Sequence, residues 1–333
     1  MNTKLKVISL FAGIGGSSYG YKKAGCEVIA AIEFLSDAIS NYKLNNPTAK
    51  TYCEDIRKLD PLEILKELKL QPGELDILDG SPPCTGFSIA GLGHHKKVKI
   101  NNPKQYSNTH KHQRVDDLFG EYIRFVKHIQ PKTFVAENVK GMIQGKFKGF
   151  FNNILKELSN CGYIVEARLM DSQHYKVPQT RKRIIIRGIR KDLNKKILWP
   201  KRLSETAKLK DYLKFKEKDN SERYELKEGN QGYNDYYKII PGENFSKIYD
   251  GKKSFNFHRS SWDKPSPTVP AAANIFHPDE PRSFSLKEYY KIFGLGENFQ
   301  LKGSFYKKTT FLGRMVVPAI TENLAIYIKK ELL

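Results

Sequence analysis

A chain of 333 residues is long enough to bury a full α/β core and still carry a second, smaller domain. Its 57 Lys and Arg against 36 Asp and Glu leave a net charge of +21, which favours a polyanionic partner because each neutralised phosphate releases counterions. The four cysteines, Cys26, Cys53, Cys84 and Cys161, form no C-x-x-C pair, which argues against zinc or disulfide frameworks and for a reducing cytoplasm; neither a signal peptide nor an apolar run approaching a membrane span is expected.

Lys6 to Leu10 reads as a buried strand, followed at once by Phe11-Ala12-Gly13-Ile14-Gly15-Gly16 and a helix-like stretch from Ser17 to Ala24. A glycine turn between a first strand and a first helix lets the backbone approach a ligand and aims helix N–H groups at it, although ordinary tight turns use glycine too. The next strand, Val28 to Ile32, ends at Glu33, twenty residues after Gly13. In doubly wound folds an acidic residue at that position accepts hydrogen bonds from ribose hydroxyls. Thr51 to Ile56 reads as a third short strand, with Asp55 placed either to accept from an adenine amino group or to cap the helical run Leu62 to Leu70.

Asp76 to Leu78 forms a fourth strand and delivers Asp79-Gly80-Ser81-Pro82-Pro83-Cys84-Thr85-Gly86-Phe87-Ser88. The prolines fix φ and remove donors, so Cys84 sits on a stiff loop, as a candidate nucleophile or as one more small buried hydrophobe. Gly86 to Gln113 is polar and basic with little apolar periodicity, the mark of a functional lid or a disordered loop, and its histidines are too irregularly spaced for a metal site. Apolar residues from Val115 to Ile129 recur at helical spacing until Pro131 closes the segment. The strand Thr133 to Ala136 then ends in Glu137-Asn138-Val139, on the same sheet rim as Cys84, Glu33 and Asp55.

Phe150 to Leu158 makes another amphipathic helix, stopped near Gly162. Gln179-Thr180-Arg181-Lys182-Arg183 leads into Ile184-Ile185-Ile186, so Gln179, Arg181 and Arg183 would share one strand face, pointing into a site or protecting a sheet edge. From Lys191 to about Asn256 the composition shifts to Lys, Glu, Tyr and Asn, which marks a domain boundary near Lys191. Arg259 to Pro281 is irregular; Ser285 to Phe293 is helix-like; and Gly313 to Pro318 precedes a last helix, Ala319 to Ile328.

Phe11 to Gly16, Glu33, Asp55, Pro83-Cys84, Glu137-Asn138-Val139 and Gln179-x-Arg181-x-Arg183, in that order, resemble the bacterial DNA (cytosine-5) methyltransferases. The resemblance continues through Arg282 to Phe293 and Gly313 to Pro318, so it spans nearly the whole chain. It implies an α/β, Rossmann-like methyltransferase fold with a catalytic and cofactor-binding domain at 1–190, completed by 304–333, and a smaller target-recognition domain at 191–303. It assigns S-adenosylmethionine to Phe11, Ala12, Gly13, Ile14, Gly16, Glu33, Phe34, Asp55, Ile56, Pro83 and Leu118, with S-adenosylhomocysteine as product and no metal. Cys84 would attack C6 of a flipped cytosine, Glu137 would contact N3 and the exocyclic amine, Arg183 the base oxygen, and Arg181 would support the site.

DNA contacts are expected from Ser88, Lys96, Lys97, Arg114, Gln179, Asn256 and Arg259, with Ser260 and Asn274 also suited to base edges. The implied partners are double-stranded DNA and, acting separately, a cognate restriction endonuclease, for a cytoplasmic monomer with no membrane association. Two features depart from the pattern: Gly313-Arg314 stands where the family commonly has Gly-Asn, and the lid is long. The alternatives are an RNA (tRNA) cytosine-5 methyltransferase of the same fold and a catalytically silent DNA-binding relative. An NAD-dependent oxidoreductase would leave Pro83-Cys84 and Glu137 without a task.

Overall fold

A computed structural model describes residues 4–83, 117–213, 221–249, 257–271 and 274–333. Its first half alternates short apolar strands with helices: β1 (Lys6–Leu10), α1 (Gly16–Lys23), β2 (Glu27–Ile32), α2 (Ser36–Asn45), β3 (Lys50–Tyr52), α3 (Pro61–Glu67) and β4 (Ile77–Gly80). After α4 (Asp117–Ile129) come β5 (Thr133–Val139), α5 (Lys148–Asn160), β6 (Tyr163–Asp171) and β7 (Lys182–Arg190). β4 is buried along its whole length and β1 along all but its first residue, as strands covered on both faces by helices must be.

The seven strands form one sheet in the order β3-β2-β1-β4-β5-β7-β6, parallel except for β7, which runs antiparallel to both neighbours. The chain winds outward from β1 to β3 and returns on the other side of β1 as β4. The carboxyl ends of β1 and β4 therefore open the crevice where such sheets bind ligands.

Beyond β7 come α6 (Gln231–Lys238), β8 (His258–Arg259), β9 (Ile275–Phe276), α7 (Leu286–Phe293), α8 (Phe305–Arg314) and α9 (Pro318–Leu332). Ile197, Trp199, Leu209 and Phe284 extend the core on the sheet face that carries Val7, Ile77, Val135 and Ile185. Tyr236, Ile239, Phe245 and Phe276 make a small core of their own. Ser285 and Glu288 close a reciprocal capping box at the start of α7, and Gly294 ends that helix in the left-handed region.

The last helix returns to the first. A Cβ on Gly20 of α1 would lie 2.1 Å from the Pro318 carbonyl oxygen and 2.2 Å from Thr321 Oγ1, so only glycine permits this approach. The Thr321 hydroxyl donates to the Ser17 carbonyl at 3.0 Å across the same contact.

Several expectations are corrected. β3 stops at Tyr52 rather than Ile56, because the Asp55 side chain accepts from the Arg57 N–H at 3.1 Å and caps a 3₁₀ turn that leaves the sheet. The cap of α3 is Asp60, which accepts from Leu62 N–H at 2.8 Å ahead of Pro61 in the first turn, and not Asp55. β7 lies inside the sheet, so its arginines protect no edge. Phe305–Leu332 is, contrary to expectation, long and apolar enough to cross a membrane by length and composition. That stretch is broken at Met315–Val317 into α8 and α9, and over half of its apolar window is buried inside the protein.

Candidate active site

At the end of β1 the backbone turns sharply, with Phe11 at φ +53° and Gly13 at φ +54°. A phenylalanine in the left-handed region is strained, and its ring is held against the core that includes Leu10 and Phe119. The turn is closed over β2: Ala12 N–H donates to the Ile32 carbonyl at 3.0 Å, and Gly13 N–H donates to Glu33 Oε2 at 2.8 Å. Leu35 N–H holds the other oxygen, Oε1, at 2.8 Å.

Burial pushes the Glu33 carboxyl above its ordinary range, while these N–H groups and the positive charge of Arg314 pull it back down. Arg314, the last residue of α8, is exposed and bears electrostatically on this carboxylate. Phe34 is 39% exposed beside it, an aromatic surface at the rim. Ile14, Gly16 and Ile56 are buried, and Leu118 is half-buried on α4. Asp55, partly buried, accepts from the Arg57 N–H and pairs with the Arg57 guanidinium, both at 3.1 Å. A strand-end carboxylate that the glycine turn holds in place and an accessible ring beside it suit a nucleoside with free ribose hydroxyls, so these residues fit S-adenosylmethionine.

The register of β4, β5 and β7 builds the second half of the site. Gly80 pairs with Ala136, so the next residues, Ser81 and Glu137, stand opposite each other on one face. Val139 pairs with Arg183, which places Arg183 diagonally across from Glu137. Ser81 Oγ donates to Glu137 Oε2 at 2.7 Å, and the Arg183 guanidinium forms an ion pair with Oε1, its Nε 3.0 Å away. Glu137 is 8% exposed, so both its oxygens are held in a largely dry setting.

Asn138 ties the neighbouring loop down, donating from Nδ2 to the Pro82 carbonyl at 3.3 Å, while Ser81 N–H donates to the Leu10 carbonyl at 3.4 Å. Pro82 is buried and Pro83 exposed. Cys84 follows directly but lies outside the described residues, as do Ser88, Lys96, Lys97, Arg114, Asn256 and the whole lid from Gly86 to Gln113. One pleat deeper on β4, Asp79 accepts from Ser9 Oγ and Tyr21 Oη, both at 3.1 Å. Its carboxyl is pushed up to about 7, chiefly by burial, with the charge of Glu137 adding to the rise against the pull of hydroxyls from Ser9, Tyr21 and Ser17.

Other expected residues are placed differently. Gln179 is fully buried ahead of β7, its Oε1 accepting from Val269 N–H at 3.3 Å and its Nε2 donating to the Ile292 carbonyl at 3.4 Å. It therefore shares no open strand face with Arg181 and Arg183 and presents nothing to DNA. Arg181, 3% exposed, donates to the carbonyls of Val269, Gly313 and Met315, so it braces the segment after α8 from behind the site. Arg259, half-buried, donates to the carbonyls of Pro278, Tyr236 and Ile239 and stacks on the Tyr236 ring at 4.3 Å, bonds that anchor it to the small core. Ser260 is fully buried and reaches no base edge. Ser81, Asn138 and Asp79 went unassigned in the sequence, because their roles depend on strand register.

The family model described as C-5 cytosine-specific DNA methylase matches residues 5–330. The Type II methyltransferase M.Sau96I of Staphylococcus aureus is 31% identical across 99% of this chain and 76% of its own length. M.NgoPII of Neisseria gonorrhoeae, also a Type II methyltransferase, is 36% identical over 64% of this chain, a match that spans about half (55%) of that relative. In structure, a proposed DNA modification methyltransferase encoded in an Escherichia coli prophage superposes with a TM-score of 0.73 at 22% identity, covering 99% of each chain.

Proposed function

The chain belongs to the C-5 cytosine-specific DNA methylase family, and from that premise we propose that it methylates C5 of a cytosine flipped out of a short DNA sequence, through a transient bond between Cys84 and C6. The observation that carries this reading is the Glu137 carboxylate, gripped by Ser81 and Arg183 beside the proline pair that leads into Cys84.

C5 of cytosine is a poor nucleophile. A thiolate that adds at C6 turns the ring into an enamine, whose C5 can attack an electrophile. Glu137, facing N3 and the exocyclic amine, gives N3 a proton as thiolate addition pushes negative charge onto the ring and takes it back as the sulfur leaves, while Arg183 pairs with the carboxylate and would stand near the base oxygen. Loss of the C5 proton to a base then re-forms the ring double bond, and the sulfur leaves with the electrons of the C6–S bond. S-adenosylmethionine, when bound, supplies the methyl group as an electrophilic sulfonium. Glu33 and the glycine turn would hold its ribose, Phe34 and Ile56 its adenine, and Asp55 the adenine amino group. C6 is unreachable inside a duplex, so the base must leave the stack at a cost of about a few kcal/mol. Residues 191–303 are the part assigned to reading the surrounding bases, and the charge of +21 suits the phosphate backbone.

The test is methyl transfer from tritiated S-adenosylmethionine to duplex DNA, together with trapping on duplexes carrying 5-fluorocytosine, whose C5 cannot release a proton. Label should appear at C5, and peptide mapping should place the trapped adduct on Cys84. Label on adenine, or an adduct on another residue, would overturn the mechanism.

Glu33 supplies a separate expectation. Ribose hydroxyls donate to the ionised carboxylate, and its folded pKa is raised, so protonation begins at a higher pH than for an ordinary glutamate. Affinity for S-adenosylmethionine should be full above that pKa and fall as pH decreases through it. Equilibrium dialysis from pH 8 down to 5 should show this loss, and Glu33→Gln should bind more weakly at pH 8 with a flatter profile.

A further inference from the structure

We propose that Ser81 is a positioning residue for the reaction, its hydroxyl fixing the plane of the Glu137 carboxylate and following that group through a change of protonation; this rests on the function proposed above. The bond is short, 2.7 Å from Ser81 Oγ to Glu137 Oε2, and joins residues 56 positions apart through the β4–β5 register. The serine has little freedom of its own. It sits between the last residue of β4 and the buried Pro82, its N–H bonded to the Leu10 carbonyl and the next carbonyl held by Asn138.

Arg183 and Ser81 act on the carboxylate in different ways. Arg183 stands 3.0 Å from Oε1 as an ion-pair partner with a fixed positive charge, so it favours only the ionised form. A hydroxyl donates one proton and accepts on two lone pairs, so Ser81 can donate to Oε2 while Glu137 is ionised and accept when that oxygen carries a proton. Each carboxylate oxygen also keeps a lone pair beyond the bonds to Ser81 and Arg183. The N3 and amine edge of a cytosine would need one such position on each oxygen. An alanine at 81 would leave Oε2 free to rotate away from that edge.

The test uses the full-length enzyme with single-turnover methyl transfer as a function of pH, on wild type, Ser81→Ala and Ser81→Thr. Ser81→Ala should slow transfer roughly 10- to 100-fold, as expected for losing a hydrogen bond to a charged group, with S-adenosylmethionine affinity unchanged. Ser81→Thr, which keeps the hydroxyl, should restore most of the rate.

Equal impairment in both variants would make the effect one of packing and overturn the proposal. So would a Ser81→Ala enzyme that transfers methyl at the wild-type rate. Both outcomes leave the cytosine methyltransferase reading standing, whereas absence of methyl transfer by the wild-type protein would remove that reading and the Ser81 role together.

Discussion

Glu137→Gln should lower the single-turnover rate of methyl transfer by roughly 10²- to 10⁴-fold, the usual worth of a positioned acid–base group, while S-adenosylmethionine affinity stays within a few-fold. The substitution preserves shape and can still meet Ser81, but an amide cannot exchange a proton with N3, and it leaves the Arg183 guanidinium without a carboxylate at 3.0 Å. Glu137 takes no part in the hydrogen bonds of the glycine turn, which run from Gly13 and Leu35 to Glu33. The two carboxylates should therefore separate cleanly: Glu33→Gln should weaken binding with little change in rate at saturating cofactor, and Glu137→Gln should do the reverse. Formation of the 5-fluorocytosine adduct should slow in Glu137→Gln in proportion to methyl transfer if the group acts on thiolate addition. A wild-type rate in this variant would remove Glu137 from the chemistry.

What could be read from the chain alone follows a physical dividing line. Gly13 and Glu33 lie within one strand–helix–strand unit, and the spacing of that unit singles out Glu33 as a strand-end acceptor; that Gly13 N–H itself donates to this carboxylate at 2.8 Å is seen only in the structure. Most of the alternating strands and helices of the first half were legible for the same reason, since apolar period and glycine punctuation are local signals, but α2 was not read, its Ala38, Ile39 and Tyr42 standing among polar residues. Ser81 and Asp79 were not, because their partners are chosen by sheet register, and the pairings of Gly80 with Ala136 and Ser9 with Asp79 join residues 56 and 70 positions apart.

Gln179 misled for a related reason. Alternation with Arg181 and Arg183 is a true strand signal only where the strand exists, and here β7 begins at Lys182. The backbone at Gln179 instead bridges to Ser266, and its amide is taken by Val269 and Ile292, all contributed by distant segments. α8 escaped notice because its polar and apolar residues are mixed and Gly313 interrupts its end. That glycine is dictated from outside the helix: a Cβ there would lie 2.1 Å from the Pro270 carbonyl oxygen.

Removing the Glu331 side chain should destabilise the protein by about 3–5 kcal/mol, because it strands a buried guanidinium. Arg187 on β7 and Glu331 in the last turn of α9 are both wholly inaccessible, joined by Nη1 to Oε1 at 2.9 Å and Nη2 to Oε2 at 2.7 Å. Leu198 completes the arrangement, its N–H donating to Oε1 and its carbonyl accepting from Nη1. An acidic residue near a helix C-terminus opposes the helix dipole, so the pairing with Arg187 is what makes the position tolerable. Replacing both members with apolar residues should cost much less than removing one, since no uncompensated charge remains. In urea unfolding, Glu331→Ala and Arg187→Met should each show a large loss, and the double variant Arg187→Met/Glu331→Leu should lie closer to wild type than either. The consequence reaches the cofactor side as well. α9 packs on α1 through Gly20, Pro318 and Thr321, and α1 begins where the glycine turn ends. Glu331→Ala should therefore bind S-adenosylmethionine more weakly near its unfolding midpoint while keeping its rate at saturating cofactor. Losses below about 1 kcal/mol in the single variants, the worth of an exposed pair, would show that the ion pair does not hold the last helix in place.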